Sequence, residues 1–178
     1  MSCRCAEISG KLDRIIGLLE GRGVEPPPKR AGIGPPKTPQ GIQAGFPQES
    51  LRRWGCYFFC LLRWAEEVRG EGFPANYIEN LFAQARSLWD SGKPIITDNA
   101  FVNNPVRLLN TLSGKKVVSR VSLWTNDGNY PRPSERIFIV REKHPAHGAH
   151  FALMIDGERW DSLPPLEGRI PAGFRVLA

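Results

Sequence analysis

Residues 150–162 read HFALMIDGERWDS, and this stretch decides how the C-terminal half folds. Asp156-Gly157 is a favoured pair for a two-residue hairpin turn, because both positions need a backbone that tolerates positive φ. The flanking segments, HFALMI and ERWDS, are then antiparallel partners. With that turn Ile155 stands opposite Glu158, and Asp161 stands opposite Ala152. His150 and Ala152 share a face, so Asp161 becomes the diagonal neighbour of His150. Diagonal neighbours are separated by ~7–8 Å at the backbone, a gap that long side chains span.

Working outward, further short strands are expected at Lys116–Trp124, Arg136–Arg141 and Arg175–Leu177, each with β-branched or aromatic residues between turn formers. Before them the period is helical. Leu51–Val68, containing GCYFFCLLRWAEEV, has the length and apolar density of a buried helix, with Gly70 and Gly72 closing it. Tyr77–Trp89 reads as a second helix with Ile78, Leu81, Phe82 and Ala85 on one face, and Val106–Leu112 as a third that Gly114 ends. Helices first and strands afterwards predict an α+β domain with an antiparallel sheet, spanning residues 48–178.

Two segments precede it. Residues 21–47 carry seven prolines interspersed with glycines, a composition that buries no core and reads as a semi-stiff tether. Residues 1–20 form a docking helix in this reading. Within EISGKLDRIIGLLE (7–20), Ile8, Leu12, Ile15 and Leu19 make a seam of coiled-coil spacing. Two heptads are too short to stand alone in water. The helix therefore docks on an assembly partner through residues 1–45, or packs on its own domain.

The 178 residues are 41% hydrophobic and 10% aromatic, enough for one cored domain. The longest apolar run, Cys56–Leu62, is far short of the ~20 residues of a membrane span. No charged-then-apolar leader opens the chain, so synthesis in the cytoplasm is expected. The formal charge is +6, but the basic residues are scattered and no aromatic-interleaved basic stretch is present, which argues against nucleic acid as a partner. The cysteines, at 3, 5, 56 and 60, do not spread as a disulfide framework, and a four-cysteine metal site joining the two pairs is the competing reading, weakened by the flexible linker between them. They are expected as free thiols, without metal or cofactor.

Cys56 follows Trp54-Gly55 at the head of the long helix, where the positive end of the helix dipole favours a thiolate. Core packing is the competing reading for a cysteine in an apolar run, and for Cys60 it is the preferred one. A nucleophilic thiol needs a base distant in sequence. All three histidines lie in HPAHGAH (144–150). His144 and His147 sit among loop formers, whereas His150 opens a strand. Asp161 is either the group that orients His150 or a carboxylate beside a turn. Gln48, eight residues before Cys56, is the candidate oxyanion donor together with the Cys56 backbone N–H, with Gln43 as a weaker substitute. Its competing reading is a polar residue at the end of the tether.

The order Gln, then Gly-Cys opening a helix, then Gly148-Ala149-His150-Phe151 opening a strand, then Asp161-Ser162-Leu163-Pro164, resembles the papain-like cysteine peptidases. It is most similar to their bacteriocin-leader-processing branch. The GCYFFCLL stretch also resembles an uncharacterised family of phage and prophage-like replicons. The first resemblance, covering about residues 46–165, implies a papain-like fold: a helical half followed by a short antiparallel half. It also implies Cys56 as nucleophile, His150 as base, Asp161 as orienter and Gln48 as oxyanion donor, acting on an amide in a peptide or protein. Tyr57 after the cysteine, the Gln–Cys spacing of eight and the short His–Asp segment depart from the family pattern. The second expectation is a structural or binding module of the same fold that does no chemistry and is plugged into an assembly such as a phage particle, which would make the virion its destination.

Overall fold

The computed structural model describes residues 35–125, 133–146 and 148–178. The predicted N-terminal helix, most of the tether, Cys3, Cys5 and His147 lie outside the described residues. A 3₁₀ turn, Ile42–Gly45, leads into α1 (Glu49–Trp54), α2 (Cys56–Arg69), α3 (Ala75–Ser87) and α4 (Pro105–Ser113). Between α3 and α4 lies a small antiparallel hairpin, β1 (Trp89–Asp90) and β2 (Lys93–Pro94). The remaining strands are β3 (Val121–Thr125), β4 (Ile137–His144), β5 (Gly148–Ile155), β6 (Glu158–Trp160) and β7 (Ile170–Leu177). They form one antiparallel sheet in the order β3-β7-β4-β5-β6. The architecture is α+β, with helices preceding the larger sheet as the period of the sequence predicts. Among the described residues no helix is long and apolar enough to cross a membrane.

The predicted helix Leu51–Val68 is two helices. Gly55 breaks it, with φ −76° and ψ 1°. Its residue type follows from crowding, since a Cβ there would overlap the Leu51 carbonyl oxygen. The break restarts a helix at Cys56, so that residue stands in a first turn. α2 is the centre of the molecule: Phe58, Phe59, Leu61, Leu62 and Ala65 are fully buried, packed with α4 and with strand β5. At the far end Gly70 takes the left-handed conformation (φ 79°) that closes the helix. α4 is capped by Asn104, whose side chain accepts the Arg107 N–H at 2.9 Å.

Residues 35–46 correct the tether reading, because their backbone groups are spent on the domain. Glu66 of α2 is fully buried and accepts from the Thr38 N–H (2.9 Å), the Thr38 hydroxyl (2.6 Å) and the Phe73 N–H (3.0 Å). The Thr38 carbonyl in turn accepts the Trp160 indole N–H at 3.2 Å. Gly41 and Gln43 donate their N–H groups to the carbonyls of Asp161 and Ser162. Proline content led to the expectation of an extended tether. It gave no sign that the extended chain would be a strap between α2 and the end of β6.

The hairpin behaves as read. Asp156 and Gly157 both take positive φ, 51° and 87°, and Ile155 pairs with Glu158, Met154 with Arg159 and Leu153 with Trp160. Extending that register by one residue sets Asp161 opposite Ala152.

Candidate active site

Cys56, His150 and Asp161 come together at the mouth of the molecule, where the head of α2 meets the start of β5. Cys56 is partly exposed and is a free thiol, while Cys60, one turn deeper, is fully buried. The His150 Nε2 lies 2.6 Å from Asp161 Oδ1, with both residues buried. Cys56 lines the same cleft as His150 and favours the charged form of its ring. Thus the ring is fixed by the carboxylate on one side and shares the cleft with the sulfur, the arrangement a general base needs.

Asp161 is held from several sides. Its Oδ1 also accepts the Leu163 N–H at 3.0 Å, and its Oδ2 accepts from Arg159 at 2.6 Å and Arg169 at 2.9 Å. Arg159 further makes a two-pronged pair with the buried Glu142. Burial alone would raise the Asp161 carboxyl, but the His150, Leu163 and Arg159 contacts hold it below the usual aspartate range. For His150 burial opposes the charged ring, yet the hydrogen bonds to Asp161 and Cys56 outweigh it and lift the imidazole to about 9. Burial pushes the Cys60 thiol well up, which keeps it protonated and inert.

Gln48 is the expected site residue that falls elsewhere. It is the N-cap of α1, its backbone carbonyl accepts the Arg52 N–H, and its side chain makes no cap hydrogen bond. It is not among the residues lining the cleft around Cys56. The reason is α1 itself: a whole short helix and the Gly55 break are inserted between Gln48 and Cys56. Gln43, from the preceding 3₁₀ turn, lines the cleft instead. Its amide is fixed at both ends, Oε1 accepting from the Ser162 hydroxyl at 2.7 Å and Nε2 donating to the Arg52 carbonyl at 3.2 Å. A primary amide carries two N–H donors, so one remains for a ligand.

The cleft has a volume of about 730 Å³, the size of a site for a small molecule or a few residues of chain. Tyr57 does not close it. Its ring stacks on Phe151 at 4.7 Å, forming a wall, and the Arg175 guanidinium lies over both rings. His144, expected in a loop, ends β4 and also lines the cleft. Glu142, His150 and Asp161 bring three ligand-type atoms within 4.8 Å of one another. A cation there would stand beside the Arg159 and Arg169 guanidinium groups, so this cluster fits a charge network that fixes the histidine and does not fit a metal.

Arg159, Arg169 and Glu142 were invisible as site residues in the sequence. Glu142 pairs across the sheet with His150, but that register depends on a strand partner no local signal announces. Ser162 carried a weak signal, a small hydroxyl directly after the candidate aspartate.

No curated protein and no solved structure matches the chain. Residues 45–166, which contain Cys56, His150 and Asp161, match a family described as a protein of unknown function, DUF261, and the chain belongs to that family.

Proposed function

We propose that the protein is a thiol hydrolase that cleaves an amide bond in a peptide or protein, on a papain-like fold. The observation that carries this reading is the His150 ring, hydrogen-bonded to a buried Asp161 at 2.6 Å and lining one open cleft together with the partly exposed Cys56. The Cys56 sulfur attacks the carbonyl carbon, a C–S bond forms, and the carbonyl oxygen takes the negative charge. The Cys56 N–H, which has no intrahelical acceptor in a first turn, and the Gln43 amide are the donors that meet it. His150 gives its proton to the amine nitrogen as the C–N bond breaks. The ring then takes a proton from water, whose oxygen attacks the thioester and releases a carboxylic acid and the thiol. Gln43 replaces Gln48 in this scheme. Attachment to a larger assembly, such as a phage particle, falls to residues 1–34, since the strap that follows is occupied by the domain itself.

The test is peptide turnover. Wild-type protein, Cys56→Ala and His150→Ala are incubated with a proteolytic digest of total cell protein, and new termini are read by mass spectrometry. Wild type is expected to cut at least ~100-fold faster than either variant. Equal turnover by wild type and Cys56→Ala, including none by either, overturns the proposal.

A further inference from the structure

Resting on the hydrolase reading, we infer that the groove selects an acidic polypeptide: an extended segment with a carboxylate side chain near the scissile bond and a large apolar residue beside it. The cleft at Cys56 is one lobe of a longer groove. A second lobe of about 310 Å³ shares Phe101, Ala149, Phe151 and Arg175 with it. The two lobes are therefore neighbours on one side of the molecule, separated only by these shared side chains.

Their charge is of one sign. The described lining residues include Arg53, Arg169 and Arg175 in the first lobe and Arg141 in the second, with no aspartate or glutamate in either. Not all of these cations are available. Arg169 is tied to Asp161, and Arg53 stands 3.4 Å from Glu49 at the exposed surface. Arg141 and Arg175 are different, for neither has an acidic partner among the described residues. Arg175 rests on aromatic faces, 4.3 Å from the Tyr57 ring and 4.4 Å from Phe151. The rings take water from one side of the guanidinium, which lines both lobes. A carboxylate is the planar acceptor that a guanidinium recognises best.

The nearest acids do not cancel this field. Glu142 and Asp161 are buried behind His150 and already neutralised by Arg159 and Arg169. The rim supplies the apolar half of the preference. Trp54 and Phe101 line the cleft while remaining 63% and 67% exposed, and large exposed rings beside a groove mark a surface that a ligand covers. A cationic groove with aromatic edges raises the local concentration of acidic, apolar segments and repels basic ones.

The experiment is capture on immobilised full-chain Cys56→Ala, so that binding is read without turnover. The probes are acetylated, amidated octapeptide pools with Glu, Gln or Lys fixed at a central position and the others degenerate, and retained peptides are quantified by mass spectrometry. The Glu pool is expected to be retained about 10-fold over Gln, with Lys below both, and large apolar residues enriched beside the acid. Adding Arg141→Gln is expected to cut the Glu preference about threefold, and Arg175→Gln to cut it further. Because Arg175 also supports two rings, the Arg141 variant keeps the test valid where the Arg175 variant misfolds. Equal retention of Glu and Gln pools, retention of neither, or a preference for Lys overturns the inference. Alkylation of Cys56 in the wild type, run in parallel, separates the two levels. Reactivity that depends on His150 without a Glu preference removes the acidic substrate alone, and absence of both removes the hydrolase reading.

Discussion

His150 carries the account at the scale of single residues, because it lines the cleft beside a partly exposed sulfur and is bonded to a buried, charge-locked carboxylate. Replacing Asp161 by Asn keeps the shape but removes the charge that favours the imidazolium and its orientation. The expected result is a fall of about 10²-fold in peptide turnover with little change in KM. The pH dependence of stability has a definite sign. The folded-state pKa of His150 is about 9, above the usual 6.5, so its contribution is complete below pH 6.5 and is lost as pH rises through 9. Asp161 is shifted the other way, so its contribution is present above the ordinary aspartate range and is lost as pH falls through its lowered value. Urea unfolding should therefore show the wild type losing more stability between pH 6.5 and 9.5 than His150→Ala loses, and parallel losses would contradict the shift. Cys56, His150 and Asp161 were legible because each sat on a strong local signal: a glycine before a helix, a strand start, a hairpin of fixed register. Which glutamine lines the cleft was not, since its position depends on how many helices intervene before the sulfur, and Gly55 in an apolar run gives no count.

At the scale of elements the notable part is the strap, residues 35–46, which joins α2 to the end of β6 through Thr38, Gly41 and Gln43. It holds Gln43 in the cleft and the Asp161–Ser162 backbone in place, so it connects folding to the site. Glu66 is its anchor. Burial raises that carboxyl although three donors and Arg63 work against the shift. Glu66→Ala leaves the Thr38 and Phe73 N–H groups without acceptors and is expected to cost about 3 kcal/mol in urea unfolding. Glu66→Gln keeps an acceptor and should cost less than half of that, whereas an Ala variant as stable as wild type would show that the strap is not anchored there. Two truncations isolate the strap itself. Removing residues 1–45 should lower the melting temperature well below that of protein lacking 1–34, and equal values would return residues 35–45 to the role of tether. Sequence composition could not distinguish these roles. Proline and glycine specify an extended backbone, and whether its N–H groups meet water or a buried glutamate is decided by residues far along the chain.

The whole molecule is a helical layer around α2 set against a five-stranded antiparallel sheet, with the site where the first turn of that helix meets β5. The class of fold was legible, because helical period prevails up to Ser113 and strand period after it, the short β1–β2 hairpin aside. The strand order was not: β7 inserts between β3 and β4, a non-local pairing that no local pattern encodes. That topology brings Arg175 and Arg169 from the C-terminal segment to a cleft built mostly by earlier residues, which is how a scattered excess of positive charge in the sequence becomes a one-sign groove in the fold. The central claim, that Cys56 and His150 work as a pair, is tested most directly by the rate of Cys56 alkylation with iodoacetamide across pH, read by peptide mass spectrometry in wild type and His150→Ala. The account predicts that wild-type Cys56 labels rapidly at mildly acidic pH, well ahead of Cys3, Cys5 and Cys60, and that His150→Ala reduces it to the rate of an ordinary thiol. A Cys56 that labels no faster than Cys3 and Cys5, or equally fast with and without His150, would contradict it.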